Sequence, residues 1–142
     1  MISANVTTVG QLMSSPVLCA HLNQRITQLG RLFFELNIHH LPVIDAQGAL
    51  IGMLSASDVL KALISKAPQM ESPDEDTINR HLSVGEIMTP SPISVPGAMP
   101  VKEAAELFST HNFQSLPVVE AGKLVGIITT RDLIKYLGKE LE

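Results

Sequence analysis

The chain has one cysteine, one tyrosine, four phenylalanines and no tryptophan among its 142 residues. With Cys19 alone, no internal disulfide can form, and a chain this long needs none: at about 150 residues folding hides close to 70% of the unfolded surface from water. Cations are also few, 10 Lys and Arg against 14 Asp and Glu, for a formal net charge of −4. Scarce cations and 4% aromatics exclude a dedicated nucleic-acid binder, which needs positive charge for phosphates and rings for stacking. Long apolar runs are missing too. Leu50–Leu54 and Leu124–Ile128 fall far short of the ~20 residues that cross a bilayer, so no membrane partner is expected. The opening Met1–Thr8 lacks the basic and apolar regions of a secretory signal, which makes the cytoplasm the expected location. At 45% hydrophobic and 17% charged, the composition excludes wholesale disorder.

What is present is present twice. Val9-Gly10-Gln11-Leu12-Met13 returns 75 residues later as Val84-Gly85-Glu86-Ile87-Met88, and Leu41-Pro42-Val43-Ile44 returns at the same offset as Leu116-Pro117-Val118-Val119. Gly52-Met53-Leu54-Ser55-Ala56-Ser57-Asp58 returns 74 residues on as Gly126-Ile127-Ile128-Thr129-Thr130-Arg131-Asp132, Gln47 being the residue lost. Solenoid units are shorter, about 20–50 residues, so this period implies two copies of one small fold. The division expected is an N-terminal segment 1–8, a first repeat 9–65, a linker 66–83 and a second repeat 84–142.

Within each copy the elements are readable. Pro16-Val17-Leu18-Cys19 and Pro92-Ile93-Ser94-Val95 suit brief strands entered through proline. Ile26, Leu29, Leu32, Phe33 and Leu36, like Val101, Ala104, Ala105, Leu107 and Phe108, recur at helical spacing. Leu41–Asp45 with Ala49–Leu54, and Leu116–Glu120 with Lys123–Thr129, read as hairpins around Gly-containing turns. Asp58–Ile64 and Asp132–Leu137 close each copy as helices. The plan is β-α-β-β-α, an α+β fold with a three-stranded sheet per repeat, and the two copies are expected to pack with pseudo-two-fold symmetry. The linker holds two prolines and four acids in Ser65–Asp76; Ser72-Pro73-Asp74-Glu75 fits a capping box opening a short helix from Pro73 to Leu82.

The strand-to-helix turn carries the chemistry. Ser55 to Asp58 and Thr129 to Asp132 match the pattern in which a hydroxyl caps the third helical N–H and the carboxylate reaches back to the cap residue. A helix N-terminus also welcomes phosphate, and a carboxylate beside it can accept from two vicinal hydroxyls. Together these describe a ribonucleotide: phosphate at the helix end, ribose on the aspartate, base between strands.

The doubled plan, the Leu-Pro-Val strands and the paired Gly-x-x-[Ser/Thr]-x-x-Asp segments resemble a tandem pair of CBS domains, a Bateman module, from about Val9 to Leu137. The resemblance implies an adenosine ligand, AMP, ADP, ATP or S-adenosylmethionine, between the repeats. It implies a first site of Pro16, Val17, His40, Leu41, Pro42, Ser55, Ser57 and Asp58, and a second of Pro92, Ile93, Ser115, Leu116, Pro117, Thr129, Arg131 and Asp132. It further implies a homodimer that regulates a separate protein, with the interaction scaffold as the alternative. Arg131 stands where the first copy has Ser57, so the second site is expected to take the phosphorylated ligand. His39 and His40 alternate in direction on a strand and have no further ligand at metal spacing. Ser55, His40 and Asp58 hold triad residue types, but the second copy has Ser115 for His40. Neither a metal site nor an enzyme is expected.

Overall fold

The computed structural model describes residues 7–15 and 17–140; the expectations for residues 1–6 and for Pro16 lie outside these. In order the elements are α1 (Val9–Leu12), β1 (Ala20–His21), α2 (Ile26–Leu36), β2 (His40–Ile44), β3 (Leu50–Ser55), α3 (Ala56–Lys66), α4 (Glu75–His81), α5 (Val84–Ile87), β4 (Thr89–Pro90), α6 (Val101–Thr110), β5 (Ser115–Glu120), β6 (Lys123–Thr129) and α7 (Thr130–Glu140). The fold is α+β, as the sequence implies.

The described chain forms two compact units, Leu18–Pro92 and the residues that precede and follow it. In the Leu18–Pro92 unit the sheet order is β1-β2-β3-β4. β1 runs parallel to β2, with Ala20 beside Val43; β2 and β3 form an antiparallel hairpin; β4 pairs antiparallel with β3, Met53 beside Thr89. The other unit repeats this plan: Val95 bridges Val118 in parallel, β5 and β6 form the hairpin, and Ser14 bridges Ile127 antiparallel. The three-stranded sheet expected from the sequence is therefore corrected to a hairpin flanked on both edges. The extra edge comes from the opening motif of the other repeat: Thr89 follows Met88 onto β3, and Ser14 follows Met13 onto β6.

Glycine explains why that edge docks there. A Cβ on Gly52 would strike the Met88 sulfur and approach Thr89 O to 3.2 Å; on Gly126 it would strike the Met13 sulfur and approach Ser14 O to 3.0 Å. The Val-Gly-x-[Leu/Ile]-Met motif of each repeat is thus seated on the hairpin of the other, where only a side chain of hydrogen leaves room.

Each unit has its own core. One gathers Ile26, Leu29, Phe33, Leu41, Val43, Leu54, Leu82 and Val84. The other gathers Val9, Val95, Ala104, Leu116, Val118 and Ile128. Val9 and Val84, both fully buried, anchor the exchanged motifs, each such side chain contributing about 1.5–3 kcal/mol.

The linker helix differs from its expected form. It spans Glu75–His81 with Asp74 as cap, the carboxylate accepting from Thr77 N at 2.8 Å. Ser72 is not the cap, because Asp74 supplies the same acceptor two residues later and lets the acids Glu75 and Asp76 occupy the first turn. The helix docks on the start of α2, whose own cap residue Arg25 offers no acceptor. Asn79 Oδ1 accepts from Thr27 N at 3.1 Å, and Asn79 Nδ2 donates to Thr27 Oγ1 at 2.9 Å.

Candidate functional site

Both closing helices leave a paired strand without an intervening loop, and cross-strand register decides what faces the turn. His40 lies opposite Ser55, and Ser115 lies opposite Thr129. The residue just before each hairpin also satisfies the first helical N–H: Ala56 N donates to His39 O at 2.9 Å and Thr130 N to Gln114 O at 3.1 Å. The third N–H goes to the cap hydroxyl, Asp58 N to Ser55 Oγ at 3.0 Å and Asp132 N to Thr129 Oγ1 at 3.2 Å. That leaves the second N–H of each helix, on Ser57 and on Arg131, with no acceptor among the described residues and open to an anion.

The two turns part company at the carboxylate. Asp132 Oδ2 accepts from Thr129 N at 2.9 Å, completing a capping box. Asp58 makes no such return bond among the described residues, so the box expected at both turns is complete at one and half-formed at the other. The half-buried Asp58 carboxylate keeps its lone pairs available. Beside it, His40 is held below the ordinary imidazole range, chiefly by burial and then by His39, with Asp58 pulling the other way. Ser57 and Arg131 are both exposed.

The Leu-Pro segments act through the backbone. Leu41, Pro42, Leu116 and Pro117 are fully buried, so their side chains belong to the cores. Proline has a second effect, on the neighbouring strand. Val95 N donates to Pro117 O at 3.0 Å, and Val95 O accepts from Val119 N at 2.9 Å. Extending this parallel ladder upstream would call on an N–H at residue 117, which proline lacks. The strands expected at Pro16–Cys19 and Pro92–Val95 are corrected on this ground. The first begins only at Ala20, and in the second only Val95 bridges. Leu18 and Cys19 in one unit, and Ile93 and Ser94 in the other, are left outside the ladder, their main-chain groups without a hydrogen-bond partner among the described residues. Burial raises the Cys19 thiol, keeping it protonated and unreactive.

The residues assigned to each site divide between the two units. His40, Leu41, Pro42, Ser55, Ser57 and Asp58 share one unit, and Ile93, Ser115, Leu116, Pro117, Thr129, Arg131 and Asp132 share the other. Val17 belongs to the unit of the second turn and Pro92 to that of the first, each opposite to the repeat that names it. Among the described residues, no helix is long and apolar enough to cross a membrane.

Comparison with known proteins agrees with the doubled plan. The CBS domain family model matches residues 9–65 and 84–139. The chain is 31% identical over 134 residues to the L-aspartate semialdehyde sulfurtransferase of Methanocaldococcus jannaschii, a match that takes in 94% of this chain but only 24% of that enzyme. A crystal structure of the CBS domain pair of protein MJ0100 in complex with 5′-methylthioadenosine and S-adenosyl-L-methionine superposes with a TM-score of 0.78 at 29% identity, covering 95% of this chain and 98% of that one. CBSX2 in complex with AMP gives a TM-score of 0.80 at 28% identity, covering 96% and 99%.

Proposed function

The chain belongs to the CBS domain family, and from that premise we propose that it is a regulatory module that binds an adenosine compound at its strand-to-helix turns and acts on a separate protein. The observation that carries this reading is the repeated pairing of one open helical N–H with a neighbouring carboxylate, next to a strand edge that proline has left unpaired. The relatives crystallised with AMP, 5′-methylthioadenosine and S-adenosylmethionine support the ligand class.

Magnitudes set what each part must do. The helix dipole contributes about 0.3–1 kcal/mol, whereas micromolar affinity requires about 8. A carboxylate gripping a ribose diol adds about 1.5–3 kcal/mol per bond, and burial of the base supplies the rest. Asp58, with its carboxylate uncommitted, is the stronger ribose acceptor. Arg131, at the open N–H of α7, suits the second turn to a phosphate, as AMP, ADP or ATP would present. Occupancy would be passed on by shifting the population between two arrangements of the module, by no more than the difference in ligand affinity between them.

The same reading includes a homodimer. Leu60 and Ile64 on α3 are 57% and 66% exposed, and Ile134 and Leu137 on α7 are 66% and 52% exposed, so each unit carries an exposed apolar helix face that a second copy would cover. A scaffold without ligand is the competing reading, and the Asp132 carboxylate already spent on its own cap favours it at the second turn. Titration calorimetry with AMP, ADP, ATP, S-adenosylmethionine and 5′-methylthioadenosine decides between them. Saturable heat with any of these supports the sensor; none at millimolar ligand supports the scaffold.

A further inference from the structure

Besides Ser57 and Arg131, the two turns differ at the residue that faces the cap across the hairpin. Where the second copy has the buried Ser115 facing Thr129, the first has His40 facing Ser55. Directly opposed residues on an antiparallel pair project to the same face with Cβ atoms about 4.5–5.5 Å apart. Ser55 Oγ is itself bonded to Asp58 N, so the imidazole and the Asp58 carboxylate flank the same capped turn. Asp132, by contrast, has its carboxylate tied to Thr129 N and no imidazole across from it.

We propose that His40 makes nucleoside binding at the first turn pH-dependent: neutral, the ring leaves the Asp58 carboxylate to the ribose diol; protonated, it takes that carboxylate for itself. This rests on the reading of the first turn as a ribose site. The surroundings of His40 contain little else that competes. Across β3 it faces the uncharged Ser55, β1 pairs with the far end of β2 at Val43 and Ile44, and the charges acting on it are His39, its chain neighbour, and Asp58 on α3. Burial and His39 keep the ring uncharged at neutral pH, so the first turn is open to ligand there. Acidification charges the ring, and the imidazolium then pairs with the carboxylate.

The probe is adenosine, which carries no phosphate to titrate, added to protein with Asp132→Asn to weaken the second turn. Between about pH 7.5 and about pH 5, affinity is expected to fall roughly three- to tenfold, the limit being tenfold per pH unit below the His40 midpoint. His40→Ser, which installs the residue found in the second copy, is expected to flatten that profile while retaining binding. In the ligand-free protein, Asp58→Asn is expected to lower the His40 midpoint followed by NMR. An identical pH profile in His40→Ser, or a His40 midpoint unmoved by Asp58→Asn, overturns the switch and leaves the nucleoside reading standing. Absence of adenosine binding at every pH overturns the ribose site, and the switch with it.

Discussion

Replacing Asp132 with alanine removes the acceptor of the Thr129 N–H, and replacing Asp58 removes no comparable bond. The Asp132–Thr129 contact is 2.9 Å and half-buried; an unsatisfied donor costs about 1–3 kcal/mol when buried and less where water reaches it. Loss of a carboxylate from the first helical turn adds about 0.3–1 kcal/mol. The expected destabilisation for Asp132→Ala is therefore about 1.5–2.5 kcal/mol, against less than about 1 for Asp58→Ala, which forfeits only the dipole interaction. At this chain length 1 kcal/mol corresponds to about 3–5 °C, so calorimetric melting should fall by about 5–10 °C for Asp132→Ala and about 1–4 °C for Asp58→Ala. Asp132→Asn, which keeps an acceptor oxygen, should recover most of the loss. The ligand experiment should rank them the other way, with Asp58→Asn weakening adenosine binding about tenfold at nearly unchanged stability. Equal melting losses at the two aspartates, or a larger one at Asp58, would refute the assignment of one carboxylate to the fold and the other to ligand.

Arg131→Ala should weaken AMP and ATP binding severalfold while leaving adenosine unaffected; equal losses for all three would remove the arginine from the phosphate. Gly126→Ala should destabilise by about 1–3 kcal/mol through overpacking against the Met13 sulfur and Ser14 O, and amide exchange should quicken across Val9–Ser14; unchanged stability would contradict the seating of that motif on β6. The Asp74 carboxyl is held below its ordinary range first by the Thr77 backbone N–H and then by the Thr77 side chain. A depressed folded value gives stabilisation that is present above the unfolded value of about 3.9 and is lost as pH falls through the folded one. Protection of the α4 amides against exchange, taken relative to the intrinsic rate at each pH, should therefore fall below about pH 4 in the natural protein and show little such fall in Asp74→Asn.

Much of this was legible in one dimension. The apolar spacing of Ile26, Leu29 and Phe33 marked α2 because burial on one helical face needs that period, and all three are buried. The hairpins and the Ser/Thr-x-x-Asp turns were legible because capping is a local interaction, complete within four residues. The cap of α4 was misplaced for a similarly local reason: Ser72 and Asp74 both supply an acceptor, and Asp74 is the one that puts the acids Glu75 and Asp76 in the first turn. The truncated first strands were missed because the missing N–H lies on Pro42 and Pro117, more than twenty residues from the segments it leaves unpaired.

Sequence alone determined that the fold is written twice, which residues form its helices and hairpins, and that each copy carries a hydroxyl and a carboxylate at a helix start. Those are properties of short segments, decided by periodicity and by hydrogen bonds a few residues long. Tertiary structure alone decided that Met13 seats on Gly126 and Met88 on Gly52, so that each compact unit borrows its edge from the other repeat. Two motifs of nearly identical composition fit either glycine equally well on paper. Chain connectivity and packing chose the exchanged pairing.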